Sequence, residues 1–176
     1  MPVQPTLQSN DFEIFGLSPR FALARDALDA RWKDLQREAH PDRFATAGAQ
    51  AQREAMQWSV RINEAYQRLK DPLKRAAYLC ELHGAPVRAE DNTAMPPAFL
   101  MQQMQWREDL EDATTPDALE RMADEVAGAR RTMLEELRMT ADEQQDWPAL
   151  ARQVRALMFV ERFARDVEAR IDLLGQ

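Results

Sequence analysis

Leu35-Gln36-Arg37-Glu38-Ala39-His40-Pro41-Asp42-Arg43-Phe44 decides how this chain is to be read. Upstream, Leu28, Trp32, Leu35 and Ala39 stand at i, i+4, i+7 and i+11, one apolar stripe on a helix over about 24–39. His40-Pro41 stops that helix, because the residue before a proline is pushed out of the helical region. Downstream, a polar loop through Gly48 leads into a second helix, about 51–69, whose Ala55, Ile62, Tyr66 and Leu69 face inward. The tripeptide His40-Pro41-Asp42 therefore sits in the turn of a helical hairpin. By itself it is a helix stop followed by a turn-forming aspartate.

The flanks extend the helical reading. A short helix runs from about Asn10 to Phe15 and stops at Gly16. Asp71-Pro72 is an N-cap and N1 pair that opens a further short helix ending at Gly84. Residues 85–97, with Pro86, Pro96 and Pro97, read as a linker. Three longer helices follow, at about 98–112, 116–138 and 148–174, opened in part by Thr115-Pro116 and Trp147-Pro148. The capping-box spacing of Thr140 and Glu143 predicts an extra turn before the last helix. Short connections imply antiparallel neighbours, hence a three-helix bundle. The fold class expected is all-α. The divisions expected are an N-terminal unit over 9–84, the linker 85–97, and a C-terminal bundle over 98–176.

Composition agrees. Only 5 Gly, 3 Ile and 7 Val stand among abundant Ala, Leu, Glu, Gln and Arg, which favours helix over strand. Charge is unevenly spread. Residues 1–89 carry 13 Lys/Arg against 11 Asp/Glu, a net +2, and residues 90–176 carry 10 against 19, a net −9, so the formal charge of −7 comes entirely from the second half. An acidic second half and a weakly basic first half argue against nucleic acid as a partner. No apolar run reaches the ~20 residues of a membrane span. Met1 to Asn10 lacks the basic and apolar regions of a secretory signal. The single Cys80 fits a reducing compartment. A cytoplasmic protein is expected.

Four ordered blocks carry a resemblance to a known family. Residues 11–84 resemble a J-domain throughout. Asp11-Phe-Glu-Ile-Phe-Gly-Leu17 resembles the opening of the HscB family, the specialised J-proteins of iron–sulfur cluster assembly. The quoted stretch 35–44 resembles that family's loop region. Asp71-Pro-Leu-Lys-Arg-Ala-Ala-Tyr-Leu79 with Leu82-His-Gly84 resembles its fourth helix, and Ala98 to Glu108 the first helix of its C-terminal domain. The resemblance implies a J-domain and a C-terminal three-helix bundle in an L-shaped arrangement. It also implies that His40, Pro41 and Asp42 engage a DnaK-class ATPase chaperone of the HscA type and stimulate its ATP hydrolysis. Arg43 stands where a lysine often follows the tripeptide.

Two faces accompany the tripeptide. With Leu28 at zero, Lys33 lies at about 140° and Arg37 at about 180°, opposite the core stripe. A solvated face is the plain reading. The resemblance implies docking on an acidic patch of the chaperone, with Arg31 on the flank and Asp26, Asp29 and Asp34 diluting the field.

On helix 98–112 the core stripe is Phe99, Gln103, Trp106 and Leu110. From Phe99, Leu100 lies at about 100°, Met104 at 140°, Glu108 at 180°, Met101 at 200° and Asp112 at 220°. Three apolar residues thus point away from the core beside carboxylates. On the last helix Leu150, Val154, Leu157, Val167, Ile171 and Leu174 form the core stripe, and Phe159 lies about 200° from Leu157. The outlying residues either pack on the first unit or form an exposed partner surface. The resemblance implies the latter: Leu100, Met101, Met104, Glu108, Asp112 and Phe159 would bind the IscU-type iron–sulfur scaffold. Gln105 stands where the family often has an acidic residue.

No Walker loop, nucleophile elbow or dinucleotide fingerprint is present. Two His and one Cys do not make a closed four-ligand zinc site without carboxylates. Cys80 and His83, at i and i+3, read as packing residues rather than half a metal site. No cofactor, catalytic residue or metal site is expected, and the chain is not expected to be an enzyme. The function implied is that of a co-chaperone delivering the scaffold to the ATPase. The rival readings are a J-protein with other clients and a helical adaptor in which the tripeptide is only a helix stop.

Overall fold

The computed structural model describes residues 4–89 and 94–175. Within them the chain is helical: α1 (Asp11–Phe15), α2 (Arg25–Ala39), a 3₁₀ turn (Pro41–Phe44), α3 (Ala49–Lys70), α4 (Pro72–Leu82), α5 (Pro97–Asp112), α6 (Pro116–Arg138), a π turn (Met139–Gln144) and α7 (Trp147–Leu174). Two compact units part inside α4, between Leu79 and Cys80.

In the first unit α1 and α2 pack on α3. Asn10 caps α1, its Oδ1 accepting from the Glu13 N–H at 2.8 Å. Gly16, with φ of 67°, closes it in a left-handed conformation that a side chain would disfavour. The Leu17 N–H then reaches back to the Phe12 carbonyl at 2.8 Å, the bond that ends a helix at a left-handed glycine. Phe12, Leu28, Ile62, Ala65 and Leu69 are buried at the centre. Asp71 caps α4 as its sequence promised, accepting from the Leu73 N–H at 2.9 Å.

The α2 stripe is less buried than its spacing suggests. Leu28 is fully covered, but Trp32, Leu35 and Ala39 are only half-buried. Ala39 and Leu35 of α2, Phe44, and Ala51, Ala55 and Trp58 of α3 line a groove of about 510 Å³, which the small alanine side chains leave unfilled.

The second unit is built on the α6–α7 pair. Thr115 caps α6, accepting from the Ala118 N–H at 3.2 Å, and Asp146 caps α7, accepting from the Ala149 N–H at 3.1 Å. The expected capping box at Thr140 does not form. Thr140 Oγ1 instead donates to the Glu136 carbonyl at 2.9 Å, so the helical path of α6 runs on into the π turn, which Gln145 ends at φ 53°. Leu150, Val154, Leu157 and Val167 are buried as the stripe predicts, together with Val160 and Phe163. Ile171 is half-buried and Leu174 is 43% exposed, which corrects the end of the stripe. Leu174 is the last residue of α7 and Ile171 lies one turn before it, where the helix ends and cover is incomplete.

Residues at the end of α4 and after it belong to this second unit. Val87 is buried, and its carbonyl accepts from Arg155 Nη1 at 2.6 Å. The Cys80 thiol points at the Trp147 carbonyl at 3.9 Å, and the His83 ring stacks on Trp147 with centroids 3.7 Å apart. The expected linker thus begins as packed chain, and its residues 90–93 lie outside the described residues. Among the described residues, no helix is long and apolar enough to cross a membrane.

Candidate functional site

The first candidate surface is the turn after α2. His40 has extended backbone, φ −62° and ψ 128°, as a residue before proline should. Pro41 occupies the first position of the 3₁₀ turn and has no N–H to offer, so the first free donor is that of Asp42. The His40 ring supplies the acceptor: Nδ1 takes the Asp42 N–H at 3.2 Å. The sequence reading missed this capping role, although a side-chain acceptor directly before a proline at N1 is a readable sign of it.

The Asp42 carboxylate stands 3.6 Å from the same Nδ1, too far for a hydrogen bond, and is 93% exposed. Arg43 turns back, its Nη1 donating to the Glu38 carbonyl at 3.3 Å, where the end of α2 concentrates partial negative charge. The turn therefore offers a free carboxylate and an exposed imidazole edge.

Along α2, Arg31, Lys33 and Arg37 are all exposed. Arg37 lies 3.6 Å from Asp34, a loose and solvated pair. Asp29 is engaged elsewhere: the Tyr66 hydroxyl donates to it at 2.7 Å and Arg25 Nε at 2.9 Å. These bonds, the Tyr66 hydroxyl first, hold its carboxyl below the usual carboxylate range. Arg31 lines the groove between α2 and α3, on a different side from Lys33 and Arg37. The three cations thus divide between two sides of the helix.

The second candidate surface is on α5. Trp106 is its one buried residue, stacked on Phe163 of α7 at 5.2 Å and donating through Nε1 to Glu125 of α6 at 3.2 Å. Arg107 pairs with Asp166 of α7 at 2.7 Å. Phe99, Gln103 and Leu110 share the inner side with Trp106 and are half-buried. The opposite side is open: Leu100 is 47%, Met101 70% and Met104 64% exposed, with Glu108 and Asp112 exposed beyond them. Gln105 donates to Asp109 at 2.9 Å and so stays within the acidic stretch. Phe159 is half-buried on α7, with the Arg162 guanidinium 5.7 Å from its ring centre. It lies one turn before Phe163, the residue that receives Trp106.

The other singled-out residues are structural. Burial pushes the Cys80 thiol up to about 11, so it is neither a nucleophile nor a ready metal ligand near neutral pH. Among the described residues, no three His, Cys, Asp or Glu side chains gather as a metal site would need.

Comparison with known proteins places the chain in a family. Residues 95–168 match the family model described as the HSCB C-terminal oligomerisation domain. The co-chaperone protein HscB homolog of Burkholderia multivorans is 49% identical over 172 residues, covering 96% of this chain and 98% of the relative. The chain belongs to the HscB co-chaperone family. Among solved structures, the chaperone HscB from Vibrio cholerae is similar with a TM-score of 0.81 and 38% identity, over 94% of this chain and 99% of that one. Human co-chaperone protein HscB, at 23% identity, shares the fold with a TM-score of 0.87 over 94% of this chain and 84% of its own. In this family's terms the first unit carries the J-domain arrangement, and α5 opens the C-terminal domain.

Proposed function

We propose that the chain is a co-chaperone of iron–sulfur cluster assembly that delivers an IscU-type scaffold to a DnaK-class ATPase of the HscA type. The observation that carries the reading is the open side of α5: Leu100, Met101 and Met104 lie exposed beside Glu108 and Asp112 on a helix that buries Trp106 on its other side. A stable helix has no use of its own for a second apolar side, and such a patch suits a protein partner. Unbranched methionine side chains adapt to a partner's contour. Phe159 and Asp112 complete the proposed scaffold surface.

On the first unit, His40, Pro41, Asp42 and Arg43 form the proposed contact with the ATPase, and Lys33, Arg37 and Arg31 its electrostatic flank. Residues 9–84 then act as the chaperone-engaging module and 98–176 as the cargo module, joined through 85–97. Holding both partners on one chain raises the effective concentration of scaffold at the ATPase, to the order of millimolar for a short connection. The chain performs no catalytic step itself and works in the cytoplasm; neither membrane nor nucleic acid enters the proposal.

The test is calorimetric titration of an IscU-type scaffold into the wild-type chain and into Leu100→Ala/Met104→Ala/Phe159→Ala. Loss of binding with helicity retained is the expected result. Undiminished binding by the folded variant removes the cargo assignment. Equal binding of unrelated denatured chains by the wild type transfers the reading to a J-protein with general clients.

A further inference from the structure

The sulfur atoms of the described residues divide by exposure. The Cys80 thiol is fully buried, and desolvation keeps it protonated near neutral pH, so it is closed to oxidants. Met122, Met133 and Met158 are half-buried. Met101 and Met104, at 70% and 64%, are the most exposed of the described methionines. They stand three residues apart on the open side of α5, so their thioethers share one patch with Leu100. Met56 and Met139 are exposed as well, at 55% and 40%, but on α3 and in the π turn. A thioether and its sulfoxide make opposite surfaces: the first is flexible and apolar, the second carries a polar oxygen on the same chain. In the free protein that oxygen is solvated, and α5 is held from its other side by Trp106, which stacks on Phe163 and bonds to Glu125. In an interface it would be buried on a side whose charged groups, Glu108 and Asp112, accept hydrogen bonds and donate none. An acceptor buried among acceptors is an unpaired polar group.

We propose that Met101 and Met104 form an oxidation switch: a peroxide converts them to sulfoxides, which releases the scaffold, and reduction restores the surface. This rests on the reading that the open side of α5 binds the scaffold. In the forward step a sulfur lone pair attacks one oxygen of hydrogen peroxide. The S–O bond forms and the O–O bond breaks, so the sulfur is oxidised and the peroxide reduced by the same electron pair. The departing hydroxide takes the proton of the transferred oxygen and leaves as water. In the reverse step a reductase draws the electron pair from a pair of thiols, giving thioether, disulfide and water. The helix itself is not remade in either direction, because both sulfur atoms lie on its solvent side.

The test treats the full chain with dilute hydrogen peroxide, then follows peptide masses, helicity and calorimetric titration with an IscU-type scaffold on the same samples. Met101 and Met104 should each gain one oxygen before Met122, Met133 and Met158, with helicity unchanged. Earlier oxidation of the half-buried methionines, or loss of helicity as Met101 and Met104 react, overturns the switch without reference to any partner. Affinity for the scaffold should fall roughly tenfold or more, as when a buried polar group is left unpaired. It should return after treatment with the two methionine sulfoxide reductases, one for each sulfoxide epimer. Met56→Leu/Met139→Leu should bind the scaffold and respond to peroxide as the wild type does. Met101→Leu/Met104→Leu, from whatever starting affinity, should change by about twofold or less on treatment, since leucine has no sulfur to oxidise. An equal loss in that variant places the sensitivity elsewhere and overturns the assignment. Unchanged binding by the oxidised wild type overturns the proposal and leaves the scaffold surface standing. No binding by the untreated wild type overturns the scaffold reading and the release half of the proposal with it.

Discussion

The Asp11 carboxylate, fully buried at the head of α1, meets Arg61 Nη2 of α3 at 2.8 Å. Arg68 Nε lies 2.7 Å from its other oxygen, and the Asp11 N–H donates to the Tyr78 hydroxyl of α4 at 3.0 Å. One aspartate thus ties three helices of the first unit. Arg61 also donates to the Ser9 carbonyl at 2.8 Å and the Leu7 carbonyl at 3.3 Å, which fixes the segment leading into α1. Removing one member of a buried ion pair strands its partner's charge. Asp11→Ala should therefore lower stability by about 3 kcal/mol, the low end of the range because Arg68 is a third exposed. Arg68→Ala should cost about 1 kcal/mol or less, being the more solvated arm. Urea unfolding of both variants checks the order.

The two sides of α5 should respond oppositely. Trp106 stacks on Phe163 and bonds to Glu125, and it is the only buried residue of the helix. Trp106→Ala should cost about 3–5 kcal/mol. The Arg107–Asp166 pair is about half-exposed on each side, so Asp166→Asn should cost no more than about 1 kcal/mol. Leu100→Ala/Met104→Ala should leave the unfolding midpoint within the ~0.5 kcal/mol typical of surface changes, while lowering scaffold affinity roughly 10–100-fold if these side chains are the interface anchors. A large stability loss in that double variant would mean that the open side is covered by the protein itself.

How much of this was legible depended on what periodicity encodes. The 100° rule separated Trp106 from Leu100, Met101 and Met104, because a side chain's azimuth on a helix follows from its position alone. Pro72, Pro116 and Pro148 stand in the first turns of α4, α6 and α7, because proline suits the first turn of a helix and not its middle. Depth of burial was not legible. Leu35 and Ala39 lie on the stripe, yet they line a groove with Ala51 and Ala55 of α3 and stay half-buried. Leu174 lies on its stripe but is the last residue of α7 and stays exposed. Thr140 carried a capping signal but bonds backward to Glu136, since a hydroxyl on a helix can serve either purpose. The Asp11 pairs span about fifty residues of sequence, and no local pattern announces them.

Cys80 should be silent to thiol reagents in the native protein and react only on unfolding. Desolvation holds its thiol neutral, raising it from an ordinary 9.0 to about 11. The folded value lies above the unfolded one, so the native state keeps the proton longer. Stability from this group is complete below pH 9.0 and falls as pH rises from there toward about 11. Denaturation midpoints of wild type and Cys80→Ala across that window should converge as pH increases. Parallel curves would show that Cys80 contributes no such dependence.

Charge on the outer side of α2 should govern association and not the maximal effect. Lys33→Glu/Arg37→Glu is expected to raise the concentration giving half-maximal ATPase stimulation by roughly tenfold at low salt, and less at high salt, with the plateau unchanged. Stimulation titrated at two ionic strengths reads both quantities. A fallen plateau would mean that these cations act on the chemical step of the partner.

The most direct measurement of the central claim is single-turnover ATP hydrolysis by the cognate DnaK-class chaperone, with the wild-type chain or His40→Gln, each with and without an IscU-type scaffold. Stimulation by the wild type, further enhancement by the scaffold, and loss of both in His40→Gln are the expected results. Stimulation that ignores the scaffold would contradict the cargo half of the account. No stimulation by the folded wild type, using a chaperone that responds to another J-protein, would contradict all of it.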